Sequence, residues 1–203
     1  MRRRDFVSLI GGTAVVWPLV ARAQLPSTAT PVVTFVNGRG ADDAAGTALA
    51  AEFRKGLSQT GLAEGQNVRV EYHWLGGHYE ELPSIINDAV RRNVAVIATP
   101  GITIAALAAK AATTTIPIVF GVAEDPVTLG LVASLAQPGG NATGINLFAS
   151  EIDAKRLGLM HEMLPKANRF AVLVNPANHV TTGATSNALK QAARGLGLEL
   201  VFF

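Results

Sequence analysis

Short apolar, β-branched runs recur along this chain with helix-length segments between them, and that alternation limits the fold more than any other feature. The runs fall at residues 32–36, 68–72, 94–98, 116–120, 142–146, 170–174 and 198–203. Most are continuously apolar rather than alternating, which is the pattern of strands buried on both faces of a parallel sheet. In the segment 44–60, Leu49, Phe53 and Leu57 share a face, and Gly61 stands ready to end the helix. The segment 79–92 sets Leu82, Ile85, Ile86 and Ala89 on one side and closes on Arg91 and Arg92, where the helix dipole favours cations. Residues 102–112 are alanine-rich and nearly apolar all round, as a buried helix is. Helical patterns at 151–164 and 182–196 complete the set. Alternation of this kind predicts an α/β fold with a doubly wound parallel sheet and right-handed crossovers.

The pattern also suggests where the chain divides. A first α/β domain is expected over residues 24–148, with a boundary in the stretch 145–155. After the turn Pro165-Lys166-Ala167-Asn168 the alternation restarts at Phe170. Residues 149–203 are therefore expected to be the start of a second α/β domain, incomplete, and too small to bury a core alone.

The N-terminus carries a different kind of signal. Met1-Arg2-Arg3-Arg4-Asp5-Phe6-Val7 leads into an apolar stretch that ends at Ala21-Arg22-Ala23-Gln24. A basic start, a short apolar run and a small-x-small site are the three parts of a secretory signal. The run is too short to span a bilayer, and Gly11, Gly12 and Pro18 interrupt it. Arg3-Arg4 followed at one remove by Phe6-Val7 fits the twin-arginine form, with cleavage after Ala23 and export to the periplasm as the expectation. An arginine-rich signal of the general secretory route is the alternative.

Removing residues 1–23 changes the charge argument. Arg2, Arg3, Arg4 and Arg22 are four of the 17 basic residues, and Asp5 is one of the 15 acidic ones, which leaves 13 against 14. The basicity of the whole chain belongs to this tag, and nucleic acid is not an expected partner. With no Cys, the chain has neither disulfides nor thiolate metal sites, and no lipid can be attached through a cysteine.

In an open parallel sheet, ligands bind beyond the carboxyl ends of the strands. The residues there include Asn37, Thr99 to Thr103, Glu124 and Asp125, Asn146 and Asn175. Gly101 permits close approach, and the first N–H groups of the helix after Ile102 and Thr103 make a site suited to a ligand carboxylate. Glu124 and Asp125 place carboxylates at another strand end, where one could pair with an ammonium group, although an Asp before Pro126 also serves as a helix cap. Asn37 and Asn175 can orient a polar solute or simply close turns. His73 and His78 have no third ligand near them, so no metal is expected. No glycine-rich phosphate loop, nucleophile elbow or zinc-protease helix occurs, and neither a cofactor nor catalysis is expected.

Several stretches together resemble a known family. The leader with Trp17-Pro18-Leu19-Val20-Ala21-Arg22-Ala23-Gln24 is one. Phe53-Arg54-Lys55-Gly56-Leu57 and Gly61-Leu62-Ala63-Glu64-Gly65-Gln66-Asn67 are others. Thr113-Thr114-Thr115-Ile116-Pro117-Ile118-Val119-Phe120, Asp125-Pro126-Val127 and Pro138-Gly139-Gly140-Asn141-Ala142-Thr143-Gly144 complete the match. They are similar to the ABC-transporter substrate-binding proteins of the tryptophan/tyrosine type, common in rhizobia and their relatives. The resemblance implies a type I periplasmic binding-protein fold, in which two α/β lobes close on a small solute. It implies delivery of that solute to an ABC permease in the inner membrane, without catalysis. Cleft contacts would then fall on Asn37, Gly101, Ile102, Thr103, Asp125 and Asn175, a set suited to an amino-acid zwitterion. Members of the family continue through a full second domain, so a truncated, non-functional fragment is one alternative reading and an exported α/β enzyme is another.

Overall fold

The computed structural model describes residues 30–203, apart from the side chains at positions 150 and 151. The expected export signal over residues 1–23 lies outside the described residues. The elements run β1 (Val32–Asn37), α1 (Ala44–Gln59), β2 (Arg69–Trp74), a 3-10 turn (Tyr79–Glu81) continuing into α2 (Leu82–Arg91), and β3 (Val96–Pro100). Then come α3 (Thr103–Ala112), β4 (Ile118–Val122), β5 (Ala142–Asn146), α4 (Ala149–Met163), β6 (Arg169–Val172), α5 (His179–Leu196) and β7 (Glu199–Phe202).

Five strands form one parallel sheet in the order β2-β1-β3-β4-β5, and β6 pairs with β7, also in parallel, as a separate two-stranded sheet. Parallel neighbours cannot be joined by a tight turn, so the chain must cross a sheet face between them, mostly as helix. The expected α/β fold with a doubly wound parallel sheet is the one observed.

Each face of the large sheet has its own core. On one face Val33 and Phe35 of β1, Val70 of β2 and Ala98 of β3 pack with Ala50, Phe53 and Leu57 of α1. Phe35, fully buried, is the centre of an aromatic group: its ring lies 5.1 Å from Phe53, 5.2 Å from Tyr72 and 6.0 Å from Trp74. Tilted pairs at these separations each add about 0.5–1.5 kcal/mol beyond the area they bury. On the other face Val36, Ile97, Ile118, Phe120 and Val122 meet Ile86 and Ala89 of α2 and Ala105, Ala106 and Ala109 of α3. The alanines of α3 let it lie close to the sheet, which is why an alanine-rich helix sits here.

Local chemistry sets the ends of the helices. Asp43 caps α1, its Oδ1 accepting the Gly46 N–H at 2.7 Å. Gly61, at φ +83°, turns the chain out after the last turn of α1. The expected helix at 79–92 opens as a 3-10 turn and becomes α-helical at Leu82, with Pro83 in the first turn, where its missing N–H costs nothing.

One expectation needs correction. Burial on both faces holds for β1 and β3 but not for the β4–β5 side, where Val119 is 41% and Ile145 64% exposed. The register puts both on the face that α1 covers, and α1 packs over β1, β2 and β3.

The later β-α-β unit has a small core of Leu157 from α4, Phe170 from β6, and Leu189 and Ala193 from α5. The Thr185 hydroxyl of α5 donates to Asp153 of α4 at 3.0 Å. Leu173 and Phe203, beside this sheet, are 88% and 69% exposed. No helix among the described residues is long and apolar enough to cross a membrane.

Gly144 and Gly56 make a controlled pair for testing the packing. A Cβ on Gly144 would lie 2.1 Å from the Phe120 carbonyl oxygen, whereas one on Gly56 would meet nothing within 4 Å. Gly144→Ala is expected to lose about 2 kcal/mol or more through overpacking. Gly56→Ala, in an exposed helix interior, is expected to gain about 0.5–1 kcal/mol. Urea unfolding midpoints of the two variants check the opposite signs.

Candidate functional site

The strand order reverses between β1 and β3, so the connections leaving these neighbours cross to opposite faces and a crevice opens at their carboxyl ends. Asn37 closes β1, Gly101 and Ile102 follow β3, and Ala123, Glu124 and Asp125 follow β4. Three of these loops are tied directly to one another.

The ends of β3 and β4 meet through two glycines. Gly101 donates its N–H to the Gly121 carbonyl at 2.9 Å and adopts φ +77°. A Cβ on Gly121 would come within 3.2 Å of the Gly101 nitrogen. One glycine is needed for its backbone angle, the other for closeness. The chain then enters α3 at Ile102, whose apolar side chain is buried and offers no cap. The first turn of α3 therefore begins without a side-chain acceptor of its own.

A buried carboxylate approaches from β4. Glu124, 6% exposed, accepts a hydrogen bond from the Thr103 hydroxyl at 2.5 Å. Thr103 is the first residue of α3 and is itself buried. The bond joins the β4 loop to the helix start.

Asn37 joins β1 to the same group. Its Nδ2 is 3.5 Å from the Pro100 carbonyl, and its Oδ1 accepts the Arg39 N–H at 2.9 Å. The second contact is a side-chain turn, and it recurs. Asp125 Oδ1 accepts the Val127 N–H at 2.9 Å, Asn146 Oδ1 the Phe148 N–H at 2.8 Å, and Asn175 Oδ1 the Ala177 N–H at 3.0 Å. Four strand ends thus turn by the same means. Asp125 also accepts from the Thr128 hydroxyl at 3.0 Å. The Val127 N–H, foremost, holds its carboxyl below the ordinary value.

Of the residues singled out from sequence, Asn37, Gly101, Ile102 and Thr103 come together at the β1–β3 crevice. Asp125 sits exposed in the turn after β4, next to Glu124. Asn175 follows β6 and belongs to the other sheet; its backbone carbonyl accepts from Asn178 and from the Thr182 hydroxyl. Sequence reasoning passed over Tyr79. Its half-buried ring crosses the β1 end, where a Cβ on Gly38 would lie 3.3 Å from the phenol oxygen and 3.2 Å from Ile102. Nothing local marks Tyr79, because its place depends on the loop after β2 folding back over β1. The two histidines separate: His73 lies in β2, partly buried, and burial pushes its pKa down, while His78 in the loop after β2 has its ring 3.0 Å from Glu80. Among the described residues, no cluster of three or more His, Asp or Glu could hold a metal.

The sequence profile of ABC transporter substrate binding proteins matches residues 31–203. The chain belongs to that family. It is 32% identical over 152 residues to the tyrosine-binding protein of Clostridioides difficile (strain R20291), an alignment covering 73% of this chain and 42% of the relative. A conserved domain protein from Vibrio cholerae is similar in structure, with a TM-score of 0.70 and 30% identity, over 86% of this chain and 57% of that one. An ABC domain from Streptococcus pneumonia, solved in complex with L-Trp, shares the fold at 19% identity and a TM-score of 0.68, with the same coverage. The fold is that of type I periplasmic binding proteins, and the chain spans about half the length of the relatives it matches.

In this member of the family, the crevice floor depends on the backbone at Gly101. Gly101→Ala has room for its methyl, whose nearest neighbour would be Leu49 at 3.9 Å, so only the left-handed backbone opposes it. A loss of about 1–2 kcal/mol is expected from that strain. Denaturant titration measures it, and an unchanged midpoint would count against a strained crevice floor.

Proposed function

We propose that this chain forms one wall of a solute-binding cleft in an exported ABC-transporter substrate-binding protein. The solute is a small polar molecule, an aromatic amino acid of the tyrosine or tryptophan class, handed on to an ABC permease. The observation that carries the reading is the convergence of Asn37, Gly101, Thr103 and Glu124 where the sheet order reverses. Kinship with a tyrosine-binding protein at 32% identity supports the choice of solute class.

On this reading residues 24–148 are the first lobe and 149–203 the beginning of the second. The crevice residues Asn37, Gly101, Ile102 and Thr103 are the contacts of the first lobe, with Asp125 at the rim and Asn175 on the second-lobe side. Two-lobed binding proteins sequester ligand by closing around a hinge. The protein works by binding, and no group in the crevice is assigned a catalytic role.

Calorimetric titration with L-tyrosine, L-tryptophan, L-phenylalanine and L-leucine tests the solute class. A saturable heat with at least one aromatic amino acid is expected, and flat isotherms for all four would sink the reading. Export is tested separately in the native host. Replacing Arg3 and Arg4 with Lys is expected to trap the precursor inside the cell, while the processed wild-type product begins at Gln24. Normal processing of the Lys variant would exclude the twin-arginine route.

A further inference from the structure

Glu124 is a buried acid whose second oxygen has no partner. Oε2 accepts from the Thr103 hydroxyl, but Oε1 accepts no hydrogen bond among the described residues. Removing a carboxylate from water without full pairing is costly, and the group must gain something where it sits. Its position supplies that gain. Thr103 opens α3, a helix with no side-chain cap, and the amino end of a helix favours negative charge. The chain's own carboxylate thus stands where a bound anion would otherwise be stabilised.

Two further features give this side of the crevice its sign. Asp125, next along the chain, is held ionised by the Val127 N–H and the Thr128 hydroxyl. Residues 123–141 after β4 hold no Lys or Arg to offset it, and Arg39, in the β1 loop beside Asp42, pairs with Asp43 at 3.3 Å. The β1 and β4 strands are separated by β3 alone, which sets the two sides roughly 10 Å apart. The β4 end of the crevice, with Glu124 and Asp125, therefore carries the larger negative charge.

Resting on the solute-binding reading above, we infer that the β4 side of the crevice receives an ammonium group and turns away a carboxylate, with Glu124 as the charge determinant. An amino acid lies with its ammonium toward Glu124 and its carboxylate directed away from it. This reverses the expectation from sequence that the start of α3 holds the ligand carboxylate. Because Oε1 lies beneath the surface, Glu124 acts on the solute as a fixed nearby charge and needs no direct bond to it.

Three probes with one ring and different charged groups separate the alternatives: L-tyrosine, tyramine and 3-(4-hydroxyphenyl)propionate. Each is titrated by ligand-observed NMR, which reads weak binding, against the wild-type chain and Glu124→Gln. Tyramine and tyrosine are expected to bind at least about tenfold more tightly than the propionate, and the variant to close most of that gap. Gln retains an oxygen to accept the Thr103 hydroxyl, and circular dichroism checks that the variant is folded. Equal binding of tyramine and the propionate to the wild-type chain overturns the inference without recourse to any variant. A ratio that persists in folded Glu124→Gln overturns the role of Glu124. Binding of the propionate alone removes the charge assignment but leaves solute binding standing. Silence from all three probes removes both.

Discussion

The pairing of β1 with β3 is the constraint on which the rest of this molecule depends. These two strands are buried on both faces, with Phe35, Val36, Ile97 and Thr99 almost wholly removed from solvent. Their connections leave in opposite directions, α1 covering one face and α2 and α3 the other. The same reversal that divides the core into two layers also opens the crevice between them. Core and candidate site are thus consequences of one topological choice. The glycine contact between Gly101 and Gly121 then holds the β3 and β4 ends closely enough for Glu124 to reach Thr103.

The crevice shows how turn chemistry and binding chemistry draw on the same residues. Asn and Asp at strand ends are natural ligand contacts because they are short and polar. For the same reason they close turns, and at Asn37, Asp125, Asn146 and Asn175 the side-chain oxygen accepts a backbone N–H two residues on. Beyond these turn bonds, the polar groups of the crevice are the Asn37 amide, which reaches the Pro100 carbonyl, the first turn of α3, the Tyr79 hydroxyl and the Glu124 carboxylate. The polar groups of the site are therefore fewer than the sequence suggests, and more firmly held.

Much of the fold was legible because hydrophobic periodicity is a local property. All seven apolar runs coincide with strands, with ends displaced by up to two residues at most boundaries, and the five helical patterns became helices. The open side at β4 and β5 was not legible. An apolar run looks the same whether a second helix covers it or not, so Ile145 could not be distinguished from Ile97. The candidate site was half legible. Position in an α/β sheet pointed to Gly101, Ile102 and Thr103. Asp125 rather than its neighbour Glu124 entered the expected contacts through the family resemblance, since local sequence does not tell the two carboxylates apart. Burial instead distinguishes Glu124, and burial depends on how the β4 loop packs against α3.

By itself, the sequence determined the class of the fold, the places where strands end, and the glycines that those ends require. Periodicity, backbone angle and turn propensity act over a few residues, so one chain records them without any partner. The tertiary structure alone decided which strand ends are neighbours, that Tyr79 lies across Gly38, and that a carboxylate stands at the start of α3. Those facts join distant residues: Thr103 is 21 positions from Glu124, and Asn37 is 63 from Pro100. Contacts at such separations are set by the packing of whole elements, which no local pattern encodes.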